Sequence, residues 1–301
     1  MKTAEQHRMK RLIGLVLILV LIPFYLIPRM AYSWGFYAHR NINREAVLAL
    51  PEPLGDFYKK NIDYITLHAT DPDKRRYVDS TEAPHHFIDL DHYGSKSFDK
   101  IPHYWSAAVD MYSADTLQKY GTLPWATLEW ENKLMLAFKK KDVTEILRAS
   151  SYLGHYVADA HVPLHTIANY NGQKTEQQGI HALWETAIPQ TYGNDYNYNN
   201  CKAVYIKNPE EEIWNILRQS YALAPATLKA EKAARSAFMG KDIYLDSQHK
   251  KFLPGYIETF NKDLNGMVEK QMRASISDVA SFWYTAWVNA GQPDITKIKV
   301  Q

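Results

Sequence analysis

The sequence predicts an all-α protein, one compact multi-helix domain, on three observations. Apolar residues recur at three- and four-residue steps through its long stretches. No alternating run bounded by turn residues asks for a sheet. No internal repeat and no Pro/Ser-rich linker divides the chain.

The clearest helix is predicted from Val143 to Asp159, where Val143, Ile146, Leu147, Leu153 and Val157 trace one stripe and Pro163 marks the end beyond it. Near the C-terminus Ile257, Phe260, Leu264, Val268, Met272, Ile276, Val279, Trp283 and Trp287 form a second stripe, consistent with one very long helix or two in line. Further helices are expected around 40–50, 103–120, 125–140 and 209–235. The polar stretches 169–179 and 191–200, rich in Asn, Gln, Gly and Tyr, are expected as irregular loops at the rim of a site.

With 46% hydrophobic and 23% charged residues in 301, the chain can bury a core and is not of disordered composition. Its one cysteine, Cys201, excludes an intrachain disulfide and a four-cysteine zinc site. Any metal must therefore be held by imidazole, carboxylate or backbone groups, a donor set suited to hydrolytic zinc rather than structural zinc.

The N-terminus reads as an export signal over residues 1–33, followed by one domain over 34–301. Lys2, Arg8, Lys10 and Arg11 precede an apolar run from Leu12 to Ile27, and Ala31 and Ser33 give a small-x-small cleavage pattern before Trp34. The run falls short of the ~20 residues that span a bilayer, so cleavage and periplasmic or extracellular release are expected over an uncleaved anchor. Removing residues 1–33 takes away five basic residues and one acidic residue, and the net charge of +2 becomes −2. Such a domain has no electrostatic footprint for gripping long duplex nucleic acid, although metal ions can hold phosphate instead.

The most informative stretch runs from His155 to His165, joined by His181 and Glu185. His155 with Asp159 and His181 with Glu185 repeat one design, an imidazole with a carboxylate four residues later, which stand on one helix face about 5–6 Å apart. His165, just past Pro163, adds an anchor from another backbone direction. Upstream, His39, Asp71 in Ala-Thr-Asp-Pro-Asp, and His86 follow Trp34 in an order that raises them above ordinary loop residues.

That order resembles the zinc-dependent phospholipase C and S1/P1 nuclease superfamily, in which mature all-helical chains begin with tryptophan and bind three zinc ions. The resemblance implies that Asp71, His86, His155 and Asp159 hold one zinc, and that His165, His181 and Glu185 hold a second. It implies that Trp34, through its α-amine and carbonyl, holds the third with His39 and a bridging Asp159. Zincs about 3.5–4 Å apart would share a water acidic enough to be hydroxide near neutral pH and would neutralise charge on a phosphoryl group; Asp71 is expected to orient or deprotonate that water. A peptide nitrogen is a poor zinc donor, so cleavage before Trp34 would itself create a ligand.

The substrate indications divide. The Trp34–His39 spacing is similar to that of the nucleases, and Glu185 in place of aspartate is similar to the phospholipases. The positions that cradle choline in a bacterial phospholipase C align with Tyr37, Pro72 and Ala83, which reproduce no acidic and aromatic box. A phospholipid head group is the first expectation for substrate, with possible transient contact at a membrane surface. Single-stranded nucleic acid is the alternative, and a zinc-binding protein without catalysis a third. No obligate protein partner is evident. Tyr152 and Tyr156 are expected in the core or behind the ligands, and His161 in a supporting or solvent-facing position.

Overall fold

A computed structural model describes residues 35–94, 97–249 and 251–295. Residues 1–33, read from sequence as an export signal, and Trp34 lie outside the described residues. Helices account for the regular structure of those residues, apart from one isolated bridge between Tyr244 and Phe252. The fold is all-α. In chain order the helices are α1 Phe36–Leu48, α2 Leu54–Lys60, α3 Ile62–His68, α4 Asp71–Arg75, α5 Ser97–Lys100, α6 Trp105–Tyr112, α7 Ala114–Tyr120, α8 Leu123–Lys140, α9 Val143–Ala160, α10 Ile180–Ala182, α11 Ile188–Tyr192, α12 Pro209–Ala237, α13 Pro254–Asp263 and α14 Met267–Asn289. No helix among the described residues is long and apolar enough to cross a membrane.

Helix α9 is the axis of the bundle. Asp142 caps it by accepting from the Glu145 amide at 3.1 Å, and 14 of its 18 residues are buried. A helix buried on nearly every side must be covered by several others. Lys141, at a φ of 57°, turns α8 back onto α9, while α1, α3 and α14 cover its other faces. Each fully buried Leu, Ile or Phe contributes ~1.5–3 kcal/mol, so apolar packing supplies the stability. Polar pins then fix the register. The Trp283 indole of α14 donates to the Ser150 carbonyl at 3.0 Å, and the Tyr58 hydroxyl lies 2.6 Å from Ser150 Oγ.

Helices α1 and α9 approach closely at Gly154. A Cβ there would fall on the Asn43 amide, whose Nδ2 donates to the Ser151 carbonyl at 3.2 Å. Only glycine leaves room for that side chain between the two backbones.

Two expectations change in detail, and one open alternative is decided. The C-terminal stripe is two helices, because Asn265 and Gly266 adopt φ of 51° and 74° between α13 and α14. The helix expected over 103–120 divides at Ser113, at φ 69°, whose hydroxyl caps α7 through the Thr116 amide. The stretch 191–200 is partly helical, since α11 reaches Tyr192 and a 3-10 turn follows over Gly193–Asp195.

Candidate metal centre

The ligand-type side chains come from six segments that converge beside the C-terminal half of α9. His39 sits on α1, Asp73 on α4, His86 at the end of the 3-10 turn Ala83–His86, and His155 and Asp159 on α9. His165 lies in the 3-10 turn Pro163–Thr166, where Pro163 has ended α9 and the chain has changed direction. His181 is on α10, and Glu185 follows in the π-helical turn Leu183–Ala187. A π turn carries one more residue per hydrogen-bonded ring than an α turn, which re-aims its side chains.

Three buried groups of donor atoms result, each compact enough to hold one ion: His39, His155 and Asp159; Asp73, His86 and His155; and His165, His181 and Glu185. Asp159 stands between them. Its Oδ1 is 3.4 Å from His39 Nε2 and 3.5 Å from His165 Nδ1, while its Oδ2 is 2.9 Å from His86 Nδ1 and 3.2 Å from His155 Nε2. In the third group His165 Nε2 and His181 Nε2 are 2.9 Å apart, and Glu185 Oε2 lies 3.1 Å from His181 and 3.4 Å from His165. Donors bound ~2.0–2.2 Å from a tetrahedral zinc stand about 3.3–3.6 Å from one another, and these spacings lie within about 0.4 Å of that range.

Backbone and neighbouring carboxylates set the ring orientations. His155 Nδ1 donates to the Ala69 carbonyl at 2.8 Å, which leaves Nε2 as the lone-pair donor facing the site. His86 turns the other way: its Nε2 lies 3.4 Å from Glu82 Oε1, and its Nδ1 faces Asp159. Glu82 is fully buried, and its carboxylate also accepts from the Tyr156 hydroxyl and lies 3.3 Å from Arg75 Nε. The His39 and His155 rings stack at 3.7 Å with 15° between planes, across the same pair of helices that approach closely at Gly154.

The buried charges are incompletely compensated by protein groups. Both oxygens of Glu185, together with Asp73 Oδ1 and His165 Nδ1, are buried without a hydrogen bond. A buried carboxylate with no donor carries a large desolvation cost, which a divalent cation offsets. Burial pushes the Glu185 carboxyl well above the usual range, His165 down to about 4 and His181 well below the usual imidazole range. Burial opposes ionisation of Asp159 as well, yet His155 and His165 outweigh it and hold that carboxyl well below the usual range. For His86 burial is outweighed by Asp159 and Glu82, which lift the imidazole to about 9. An anionic bridge thus meets neutral imidazoles at His39, His165 and His181, the form in which imidazole binds metal.

Of the residues singled out from sequence, His39, His86, His155, Asp159, His165, His181 and Glu185 meet here, and Trp34 lies outside the described residues. Asp71 does not meet them. Its Oδ2 is 2.5 Å from His68 Nδ1 and its Oδ1 2.8 Å from Lys74 Nζ, so both oxygens are engaged on the outer side of α4. Asp73 takes the position expected of Asp71, with Oδ1 3.8 Å from His86 Nδ1 and 3.9 Å from His155 Nε2. Two residues along a helix are about 200° apart around its axis, so only one of the two carboxylates flanking Pro72 can face the centre. Glu82 was missed, although it stands four residues before His86 and so carries the same spacing signal as the other two pairs. His161 is buried outside the three groups, with Nε2 3.0 Å from Asp278 Oδ2, and so does not face solvent.

Fold and site together define an all-helical protein with a buried, multidentate His/Asp/Glu centre of the zinc type. The chain belongs to the zinc dependent phospholipase C family, whose model matches residues 38–233. It is also similar to nuclease S1 of Aspergillus oryzae (strain ATCC 42149 / RIB 40), with 23% identity over 193 residues, 58% of this chain and 61% of that protein. The match therefore spans less than two thirds of that relative. Zinc dependence accords with both comparisons and with the donor groups.

Proposed function

We propose that this chain is an exported zinc-dependent phosphodiester hydrolase of phospholipase C type, with three zinc ions in its mature form. One observation carries the reading: the two oxygens of Asp159 face different histidines, Oδ1 towards His39 and Oδ2 towards His86 and His155, as a carboxylate bridging two ions does. In the proposed assignment Asp73, His86, His155 and Asp159 hold one ion, and His165, His181 and Glu185 a second. His39, Asp159 and the N-terminal group of Trp34 hold the third.

Zinc at these positions would make water nucleophilic near neutral pH and neutralise phosphoryl charge. The protein's own residues do the remaining work. Asp159 keeps two donor groups in fixed relation, and His155 is locked by Ala69 so that its Nε2 stays aimed inward. Asp73 replaces Asp71 as the carboxylate placed to orient a water or take its proton. Glu82 holds His86, and buried Tyr156 packs edge-on against His86 and His155 and excludes bulk water from behind them. Residues 1–33 support export.

A second reading, hydrolysis of single-stranded nucleic acid, is favoured by the similarity to a protein named nuclease S1. The test is parallel hydrolysis by zinc-loaded protein beginning at Trp34 of phospholipid vesicles, single-stranded DNA and RNA, and bis(p-nitrophenyl) phosphate. Release of phosphorylated head group supports the first reading and release of nucleotides the second. Hydrolysis of none by protein with its zinc bound leaves a zinc-binding protein without catalysis and overturns both.

A further inference from the structure

A cavity of about 570 Å³ opens between the start of α6, the first turns of α8 and the start of α12, apart from the three donor groups. Its size suits a small organic molecule. Trp105 is 39% exposed and Tyr104 71% exposed, so two aromatic faces are available to an occupant. Behind them Trp125 is fixed: its indole donates to the His103 carbonyl at 2.7 Å, and it meets Trp105 edge to face at 5.5 Å.

The charge of the lining is one-sided. Glu129 and Glu210 contribute carboxylates, and among the described residues that line the cavity none is lysine or arginine. Glu129 is engaged by Lys133 at 2.5 Å, which leaves Glu210 as the principal counter-charge. His103 Nδ1 lies 3.8 Å from Glu210 Oε1, and burial, with a smaller contribution from Arg218, lowers the pKa of that imidazole, so it loses its proton below the ordinary histidine range and does not cancel the carboxylate. Thr122 adds a hydroxyl oxygen, buried and without a hydrogen bond, on a residue that is 3% exposed. Aromatic faces with a carboxylate and no fixed cation attract a positively charged organic group and repel phosphate or carboxylate ligands.

We propose that this cavity is a binding site for an organic ammonium ion, held against Trp105 and Tyr104 with Glu210 as counter-charge. The site does not depend on the hydrolytic reading. Its wall nonetheless joins the metal centre: His85, adjacent to His86, lines it, and the Thr122 amide donates to the Pro84 carbonyl at 2.7 Å. The ammonium group could arrive on a free small molecule or on a lipid head group, which share this chemistry.

The test titrates zinc-loaded protein with tetramethylammonium, and in parallel with uncharged 3,3-dimethylbutan-1-ol, by saturation-transfer NMR. Saturable binding of the cation is expected, with the alcohol much weaker. Trp105→Ala and Glu210→Gln should each lower cation affinity about 2- to 30-fold, whereas Trp105→Phe, which keeps an aromatic face, should retain most of it. Displacement by a short-chain phosphatidylcholine assigns the lipid-borne source, and its failure to displace assigns the free one. No saturation with tetramethylammonium, equal binding of the alcohol, or affinity unchanged in both loss variants overturns the proposal. Hydrolysis measured on the same samples tests the catalytic reading separately.

Discussion

The backbone amide of Gly35 donates to the carbonyl oxygen of Glu185 at 3.1 Å. This bond ties the first described residue to the turn that carries a ligand-type carboxylate. A Cβ on Gly35 would fall among the side-chain atoms of Thr186, so glycine permits the approach. Gly35→Val is expected to displace the preceding residue and lower zinc content by one ion per chain, measured by plasma mass spectrometry. Thr186→Ala, which removes Oγ1 and Cγ2 from the point of contact, should restore part of it. Unchanged zinc content in Gly35→Val would count against a ligand at Trp34.

Asp71 and Asp73 make opposite predictions. Asp73→Asn is expected to weaken zinc binding and reduce phosphodiester hydrolysis by at least 100-fold, on the order of what loss of charge stabilisation costs in a water-excluded site. Asp71→Asn leaves zinc content intact and loosens only a partly exposed contact with His68 and Lys74. Zinc titration and initial rates on both variants decide the assignment, and a larger loss in Asp71→Asn would reverse it.

Glu82→Gln probes support from behind the ligand. Losing a group that orients a metal-bound histidine commonly costs 10–100-fold in metal affinity, and about that loss is expected here. Competition against a zinc chelator measures it directly. Glu82→Ala should cost more, because it also removes the partner of the Tyr156 hydroxyl.

Gly154→Ala places a methyl group on the Asn43 amide and is expected to destabilise the fold by about 1–3 kcal/mol, as overpacking does. Denaturant unfolding reads the loss. The same shift should separate the His39 and His155 rings and lower zinc content, a coupling that a purely peripheral packing defect would not produce.

Acid should weaken the metal-free protein in a defined window. Burial depresses His161 to about 3 and His165 to about 4, so the folded state resists protons that the unfolded chain accepts near 6.5. More protons bound in the unfolded state means that stability falls as pH drops from about 6.5 toward 3–4. Zinc blocks protonation of His165 but leaves His161 exposed to the effect. Saturating zinc should therefore move the acid midpoint down without abolishing it, and His161→Asn should flatten the remaining slope in circular-dichroism titrations.

The helical character was legible because the stripes were long and the one carboxylate–imidazole spacing recurred. His155 with Asp159 shows why: four residues on a helix fix a direction before any tertiary contact is known. Asp71 and Asp73 show the limit, since a proline between two aspartates marks a helix start without fixing which side faces inward. Glu82 escaped notice because its pair runs in reverse order, carboxylate before imidazole. The places of the breaks at Ser113 and at Asn265–Gly266 were less legible: the apolar stripe runs on from Leu264 to Val268 across the second, and positive φ marks the turn at each.

Helix α9 supplies both the most enclosed part of the apolar core and the carboxylate around which the donor groups meet. If folding and loading share one element, scarcity of zinc shortens the protein's lifetime as well as its activity, and the amount of protein that survives becomes a record of the metal available to it.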